Sequence, residues 1–240
     1  MAIIKTLDNF NDSTELAPTQ ANFPALKHFF PCDETSGLTI TDSVGGVVIT
    51  PDTSLTFGTN HVVPTMSTDV AIGGTWELAG LKKIVIIQIG VFNGAASDTV
   101  HFGTSGVSNA RLSFLGGTGK YSVREDVNQL ASTVLSGHST NIVGQGFRLT
   151  PASATGFVSF ETDNAGGSYS EKLAIDATTW STGISVMPAT AQLTVTKLYS
   201  TAIFFFDTLP NDLEQAVTWM YNEHVNNGNK TIWPGWNGRS

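Results

Sequence analysis

The stretch His28-Phe29-Phe30-Pro31-Cys32-Asp33-Glu34-Thr35-Ser36-Gly37, followed by Asp42-Ser43-Val44-Gly45-Gly46, constrains the fold more than any other part of the chain. It sets a hydrophobic strand against two polar turns. Phe29 and Phe30 favour a packed, extended backbone. Asp33, Ser36 and Asp42 bend the chain through side-chain to backbone hydrogen bonds, and Gly37 and Gly45 permit the reversals. The product is a strand, a turn, a short strand and another turn, which is the grammar of a sheet protein.

The rest of the sequence repeats that grammar. Charged residues are only 13% of 240 residues, and 24 Gly lie among apolar segments rich in Thr, Ser and Asn. Many strands joined by turns fit this balance, and one domain of this size buries a sizeable core. Ile84 to Phe92 is too short for a membrane helix and rich in β-branched residues, so it reads as a central strand buried on both faces. The net charge of −8 opposes attraction to a polyphosphate backbone, and Lys82-Lys83 is the only adjacent basic pair. No nucleic-acid partner and no membrane insertion are expected. Cys32 is the single cysteine, which rules out an intrachain disulfide and suits a small buried packing residue. Met1 to Lys5 lacks the pattern of a secretory signal, which leaves the cytoplasm or a particle assembled there.

Three regions follow along the chain. Residues 1–25, polar and broken by Pro18 and Pro24, are expected to form an extended N-terminal arm. Residues 26–208 carry strand candidates at 26–31, 46–50, 54–57, 83–92, 98–102, 110–115, 119–124, 156–162, 192–199 and 201–206. Ala110–Leu115 and Lys120–Arg124 flank Gly116-Gly117-Thr118-Gly119 as a hairpin. Residues 209–240 contain Leu209, Leu213, Ala216, Val217 and Met220 at helical spacing, which predicts a helix from about Pro210 to His224 capped by Thr208. An aromatic tail, Ile232-Trp233-Pro234-Gly235-Trp236, follows. The expected fold is all-β, a two-layer antiparallel β-sandwich with one C-terminal helix closing an edge or end.

The two turns of residues 33–37 and 42–46, entered from Phe29-Phe30, resemble the opening of laminin-G-like, concanavalin A-like jelly-roll domains. The passage from Phe206 through Leu213 to Trp219 is similar to that family's last strand and short helix. The resemblance implies a sandwich with a concave face and variable loops, used by different members for sugar binding, adhesion, catalysis or virion architecture. The arm, the lack of disulfides and the Thr-, Gly- and Asn-rich strands also resemble bacteriophage structural or appendage proteins.

Catalytic patterns are incomplete. Sandwich glycosidases carry Glu-x-Asp-x-x-Glu so that alternating carboxylates face the scissile bond. Glu161-Thr162-Asp163 supplies the first half, but Ala165 and Gly166 stand where the second carboxylate is needed, which favours a hydrated strand face or a turn-stabilising acid pair. Gly116-Gly117-Thr118-Gly119-Lys120 lacks the spacing and the Ser or Thr of a phosphate loop, and no Gly-x-Ser-x-Gly elbow is present. His28, His61, His101, His138 and His224 show no metal-ligand spacing. Asp33, Glu34 and Asp42 offer oxygens to calcium, yet turns closed by aspartate hydrogen bonds explain them more simply.

Trp76, Trp180, Trp233 and Trp236 offer faces to sugar rings, although core or subunit packing is the commoner use of such residues. Pro234-Gly235 suggests a projecting tail, so Trp233 and Trp236, with Trp219 and the arm's Phe10, are the candidate interface residues. No catalytic residue, metal or cofactor is assigned, and the ligand-binding residues stay open. The leading expectation is a structural virion component without enzymatic activity, acting through self-association or contacts with other virion proteins. The alternative is a carbohydrate-binding adhesion module, and the third reading is a polysaccharide-cleaving enzyme.

Overall fold

The computed structural model describes residues 18–19, 21–37, 39–46, 48–49, 56–63, 71–72, 83–92, 98–104, 111–115, 120–125, 128–133, 141–149, 157–164, 166–172, 184–185, 195–208 and 211–236. Phe10 and most of the expected arm, Trp76, Trp180 and the turn at 116–119 lie outside them. Sixteen strands are described: β1 (Leu26–Phe30), β2 (Ile40–Thr41), β3 (Val48–Ile49), β4 (Thr56–Gly58), β5 (His61–Val63), β6 (Ala71–Ile72), β7 (Lys83–Phe92) and β8 (Asp98–Thr104). Then come β9 (Arg111–Leu115), β10 (Lys120–Glu125), β11 (Asn128–Thr133), β12 (Val143–Leu149), β13 (Phe157–Asp163), β14 (Gly166–Lys172), β15 (Ile184–Ser185), β16 (Val195–Phe206) and one α-helix, α1 (Leu213–Asn222).

The chain is an all-β, two-layer antiparallel sandwich with a single C-terminal helix. One sheet runs β14-β13-β12-β7-β16-β5-β4, with β1 also paired to β16, and the other runs β11-β10-β9-β8-β15-β6. β2 and β3 pair by themselves. The expected hairpin is present as β9 and β10, with Leu115 opposite Lys120. β7 lies at the centre of the large sheet between β12 and β16. Its Ile84, Val85, Ile86, Ile87 and Ile89 are buried whichever face they point to. Each such side chain contributes roughly 1.5–3 kcal/mol when removed from water.

The two strands expected at 192–199 and 201–206 are one continuous strand. β16 bulges between Leu198 and Ser200, and its outer partner changes there from β5, at Leu198, to β1, at Thr201 to Phe204. A bulge re-aims the strand without ending it.

The helix does not close an edge or end. It lies flat on the large sheet across β12 and β13, with Leu213, Ala216, Val217, Met220 and Tyr221 buried against it. Two glycines of β12 make the seat. A Cβ on Gly146 would overlap Val217 Cγ2 and come within 2.9 Å of Leu213 Cδ1, and one on Gly144 would sit 2.9 Å from Tyr221 Cβ. The N-cap is Asp212 rather than Thr208: its carbonyl accepts the Ala216 N–H at 3.0 Å. Its carboxylate makes no cap bond and accepts the Trp236 indole N–H at 2.7 Å.

That bond corrects the picture of a projecting tail. Beyond α1 the chain widens into a π-helical turn, Glu223–Asn227, which Gly228 ends in the left-handed region at φ 68°. It then folds back over the sheet. Trp236 is 1% exposed. Its ring meets Phe204 and Phe206 edge-on, with centroids 4.9 and 5.4 Å away. Trp236 is therefore a core residue. Trp233 and Trp219 are half-buried and pack against the same core.

Candidate functional site

The opening motif forms the foundation of the site. Asp42 Oδ1 accepts three backbone N–H groups, from Phe29 at 2.9 Å, Val44 at 3.0 Å and Gly45 at 2.9 Å. Asp42 Oδ2 lies 2.6 Å from His28 Nδ1. The Ser43 N–H and hydroxyl both donate to Phe29 O, at 2.8 and 3.2 Å. Gly45 is required by close approach: a Cβ there would overlap Asp42 Oδ2 and come within 2.7 Å of His28 Nδ1 and 2.8 Å of Lys27 O. Burial on its own would raise the Asp42 carboxyl, but the His28 contact and the Phe29, Gly45 and Val44 N–H groups outweigh it and hold the pKa below its ordinary value. Both oxygens are buried and hydrogen-bonded within the motif, so Asp42 is a turn-builder. Glu34 Oε1 accepts the Thr41 N–H at 2.6 Å and braces the loop between β1 and β2. Among the described residues no three His, Cys, Asp or Glu side chains converge to hold a metal ion.

A second brace arrives from the C-terminal segment. The Lys230 ammonium donates to three carbonyls, Pro31 O, Cys32 O at 3.3 Å and Asn60 O at 2.7 Å. Cys32 and Asn60 are the two non-glycine residues with positive φ among those described, at 51° and 60°. Left-handed backbone is costly for a residue with a Cβ, and their carbonyls turn toward one shared cation. Burial lowers the Lys230 pKa, against the opposing pull of neighbouring acidic groups. Burial also pushes the Cys32 thiol far up, which leaves it a protonated packing residue, as its sequence context suggested. Glu223 fixes the adjoining loop: its two carboxylate oxygens each accept a side-chain N–H at 3.1 Å, from Asn227 and Asn229.

These braces enclose a cleft of about 480 Å³. Phe29 and Pro31 line its apolar part, while Asp33, Ser43, Asn60 and Thr231 provide polar groups. Asp33, Ser43 and Asn60 are exposed, whereas Thr231 is 7% exposed. Nearby, Tyr199 stands between His61 and His224, with ring centroids 5.3 and 4.5 Å away. Burial, and next the charge of Lys230, lower the His224 pKa to about 4, so this imidazole is neutral near pH 7. The arrangement is a hydroxyl- and amide-lined recess braced by backbone hydrogen bonds, suited to binding a polar small molecule.

The candidate catalytic acids lie elsewhere. Glu161 and Asp163 are 2% and 7% exposed, so the expected hydrated face is instead buried. Glu161 belongs to a polar row that crosses the large sheet opposite Gln145, which pairs in turn with Gln88 and then Thr201. The Gln145 amide donates to Gln88 Oε1 at 2.7 Å, and the Gln88 amide to Thr201 Oγ1 at 3.2 Å. The cleft itself escaped the sequence reading because its walls come from positions some 200 residues apart. The one local signal was the Asn-Asn-Gly-Asn-Lys run at 226–230.

Of the four candidate interface residues, the structure places Trp219 and Trp233 half-buried and Trp236 in the core, and none of these three lines the cleft. Phe10 lies outside the described residues.

Comparison with protein-family models and with curated proteins finds no match. Solved structures do match. Trypanosoma rangeli sialidase, as the covalent intermediate with 2,3-difluorosialic acid, aligns with a TM-score of 0.59 at 7% identity, over 85% of this chain and 34% of the sialidase. The same enzyme in complex with sialic acid aligns with a TM-score of 0.57 at 9% identity, over 85% and 34%. The binding domain of botulinum neurotoxin serotype D/C VPI 5993 aligns with a TM-score of 0.51 at 10% identity, over 85% of this chain and 53% of that one. This chain thus spans about a third of the sialidase and about half of the neurotoxin domain, and the likeness is one of fold.

The likeness places the chain in a class of β-sandwiches that occurs in a sialidase and in a toxin binding domain. It also overturns the expectation that the chain is not an enzyme. That expectation leaned on incomplete catalytic motifs such as Glu161-Thr162-Asp163, whereas a like fold recurs within an enzyme solved as a covalent intermediate.

Proposed function

We propose that this chain is a carbohydrate-binding module and that the cleft beside Lys230 is its recognition site. The observation that carries the reading is the cleft: polar side chains over an apolar floor, on backbone fixed by Asp42 and Lys230. Such preorganisation lowers the entropic cost of binding a small polar ligand. The fold's recurrence in a sialidase solved with sialic acid supports the glycan reading. The virion reading rests on composition and on the terminal segments. Its candidate contact Trp236 belongs to the core, so the balance moves toward glycan recognition. Screening the purified chain on a glycan array tests the proposal. Concentration-dependent binding to a defined set of saccharides is the expected result, and an array without any bound glycan refutes it.

A further inference from the structure

The geometry points to a neutral, hydroxyl-rich saccharide as the ligand of the cleft, and not to a sialylated or otherwise anionic one. This rests on the carbohydrate-binding reading and sharpens it. Recognition of a sugar carboxylate calls for a cation with free N–H groups, because charge-assisted hydrogen bonds are the strong ones. Lys230 is the one cation lining the cleft among the described residues. An ammonium has three donors, and here Pro31 O, Cys32 O and Asn60 O accept all three. Releasing one for a ligand would take the cation from a carbonyl that belongs to a left-handed turn or its neighbour. Lys230 therefore acts as a structural rivet, and its charge is already shared among protein dipoles.

The remaining groups favour hydroxyls. Asp33 is exposed on the lip, and its carboxylate accepts hydrogen bonds while repelling an anion. Thr231 lines the cleft, is more than nine-tenths buried, and its hydroxyl finds no partner among the described residues. A polar group left in that state is destabilising, and a sugar hydroxyl both donates and accepts. Asn60, an exposed residue of the lining, adds an amide donor and acceptor. The Ser43 hydroxyl, whose hydrogen goes to Phe29 O, keeps lone pairs for a ligand donor. The half-buried Pro31, seated above the core residue Phe29, supplies the apolar surface against which the C–H face of a sugar ring packs. The volume, about 480 Å³, lies in the range usual for small-molecule sites, roughly 300–1,000 Å³.

The test uses the full chain on an array that carries each neutral oligosaccharide core beside its sialylated form, followed by calorimetric titration of the best pair. The neutral core is expected to bind at least about tenfold more tightly than its sialylated form. Asp33→Asn, at an exposed position that should leave the melting temperature unchanged, is expected to weaken the neutral ligand about tenfold or more, and Thr231→Val several-fold. Tighter binding of the sialylated form overturns the inference while leaving carbohydrate binding intact. So does neutral-sugar binding unchanged in both variants, since the sugar would then sit elsewhere. A chain that binds nothing on the array refutes the carbohydrate reading, and this inference falls with it.

Discussion

Replacing Asp42 with Ala removes one carboxylate that satisfies three backbone donors and one imidazole at once. The three donors do not count equally. The Phe29 N–H is buried, so it bears the full penalty of an unsatisfied group, about 1–3 kcal/mol. The Val44 and Gly45 N–H groups sit at the surface and regain water, so together they account for roughly 1 kcal/mol. The half-buried His28 contact adds less than about 1 kcal/mol. The sum is about 3 kcal/mol, a drop in melting temperature of about 6–12 °C for a domain of this size. Urea unfolding followed by tryptophan fluorescence should show a lower midpoint with an unchanged slope.

The pH dependence supplies a sharper check. The folded pKa of Asp42 is depressed, so its contribution is fully present above the ordinary carboxylate value and is lost as pH falls through the folded one. The stability gap between the wild type and Asp42→Asn should therefore be constant from pH 7 down to about 4 and close at more acid pH. A gap below about 1 kcal/mol for Asp42→Ala at pH 7 refutes the argument. A wild-type melting temperature that rises with calcium and no longer does so in the variant also refutes it, because Asp42 would then be serving a metal.

Gly146→Val drives a branched side chain into Val217 and Leu213 of the helix. It should destabilise by about 1–3 kcal/mol or more through overpacking, visible in thermal melts, whereas a helix merely resting on an edge would yield at little cost. His224 is held neutral by burial and by Lys230, with its pKa near 4. Its unfolded-state pKa is about 6.5, so the protein should lose stability as pH falls from about 6.5 toward 4. His224→Phe should flatten that part of the stability profile, and a wild-type curve level across it would contradict the burial.

The legibility of the sequence follows from where each signal is stored. β7 was readable because a run of β-branched residues has one economical home, the middle of a sheet. The β9–β10 hairpin was readable because its turn chemistry is local. β12 was overlooked because Gly144 and Gly146 lower strand propensity, and their purpose, a groove for Leu213 and Val217, exists only once the helix arrives. β14 hides for a related reason, as Gly166 and Gly167 look like turn residues until Phe160 is seen lying where a Gly167 Cβ would be. The cap at Thr208 was a sound local choice overridden by tertiary structure: Asp212 begins the helix and holds the Trp236 indole. The partners of Lys230 are not legible in the sequence, since its three acceptors lie about 170 to 200 positions away.

The stretch from Glu223 to Trp236 ties fold and site together. At its far end Trp236 completes the core against Phe204 and Phe206. In its middle Lys230 holds two strained loops in place, and Asn229 and Thr231 beside it line the cleft. A segment that only docked onto another molecule would have no reason to bury Trp236 at one point and to bind Lys230 to three backbone carbonyls at another. The cleft exists only when this segment is seated, so seating should precede recognition: a variant that loosens Trp236 ought to lose ligand affinity before it loses the sandwich. The aromatic tail, expected to project, is on this argument the lid of the core, and the residues just before it, Gly228 to Thr231, form one wall of the cleft.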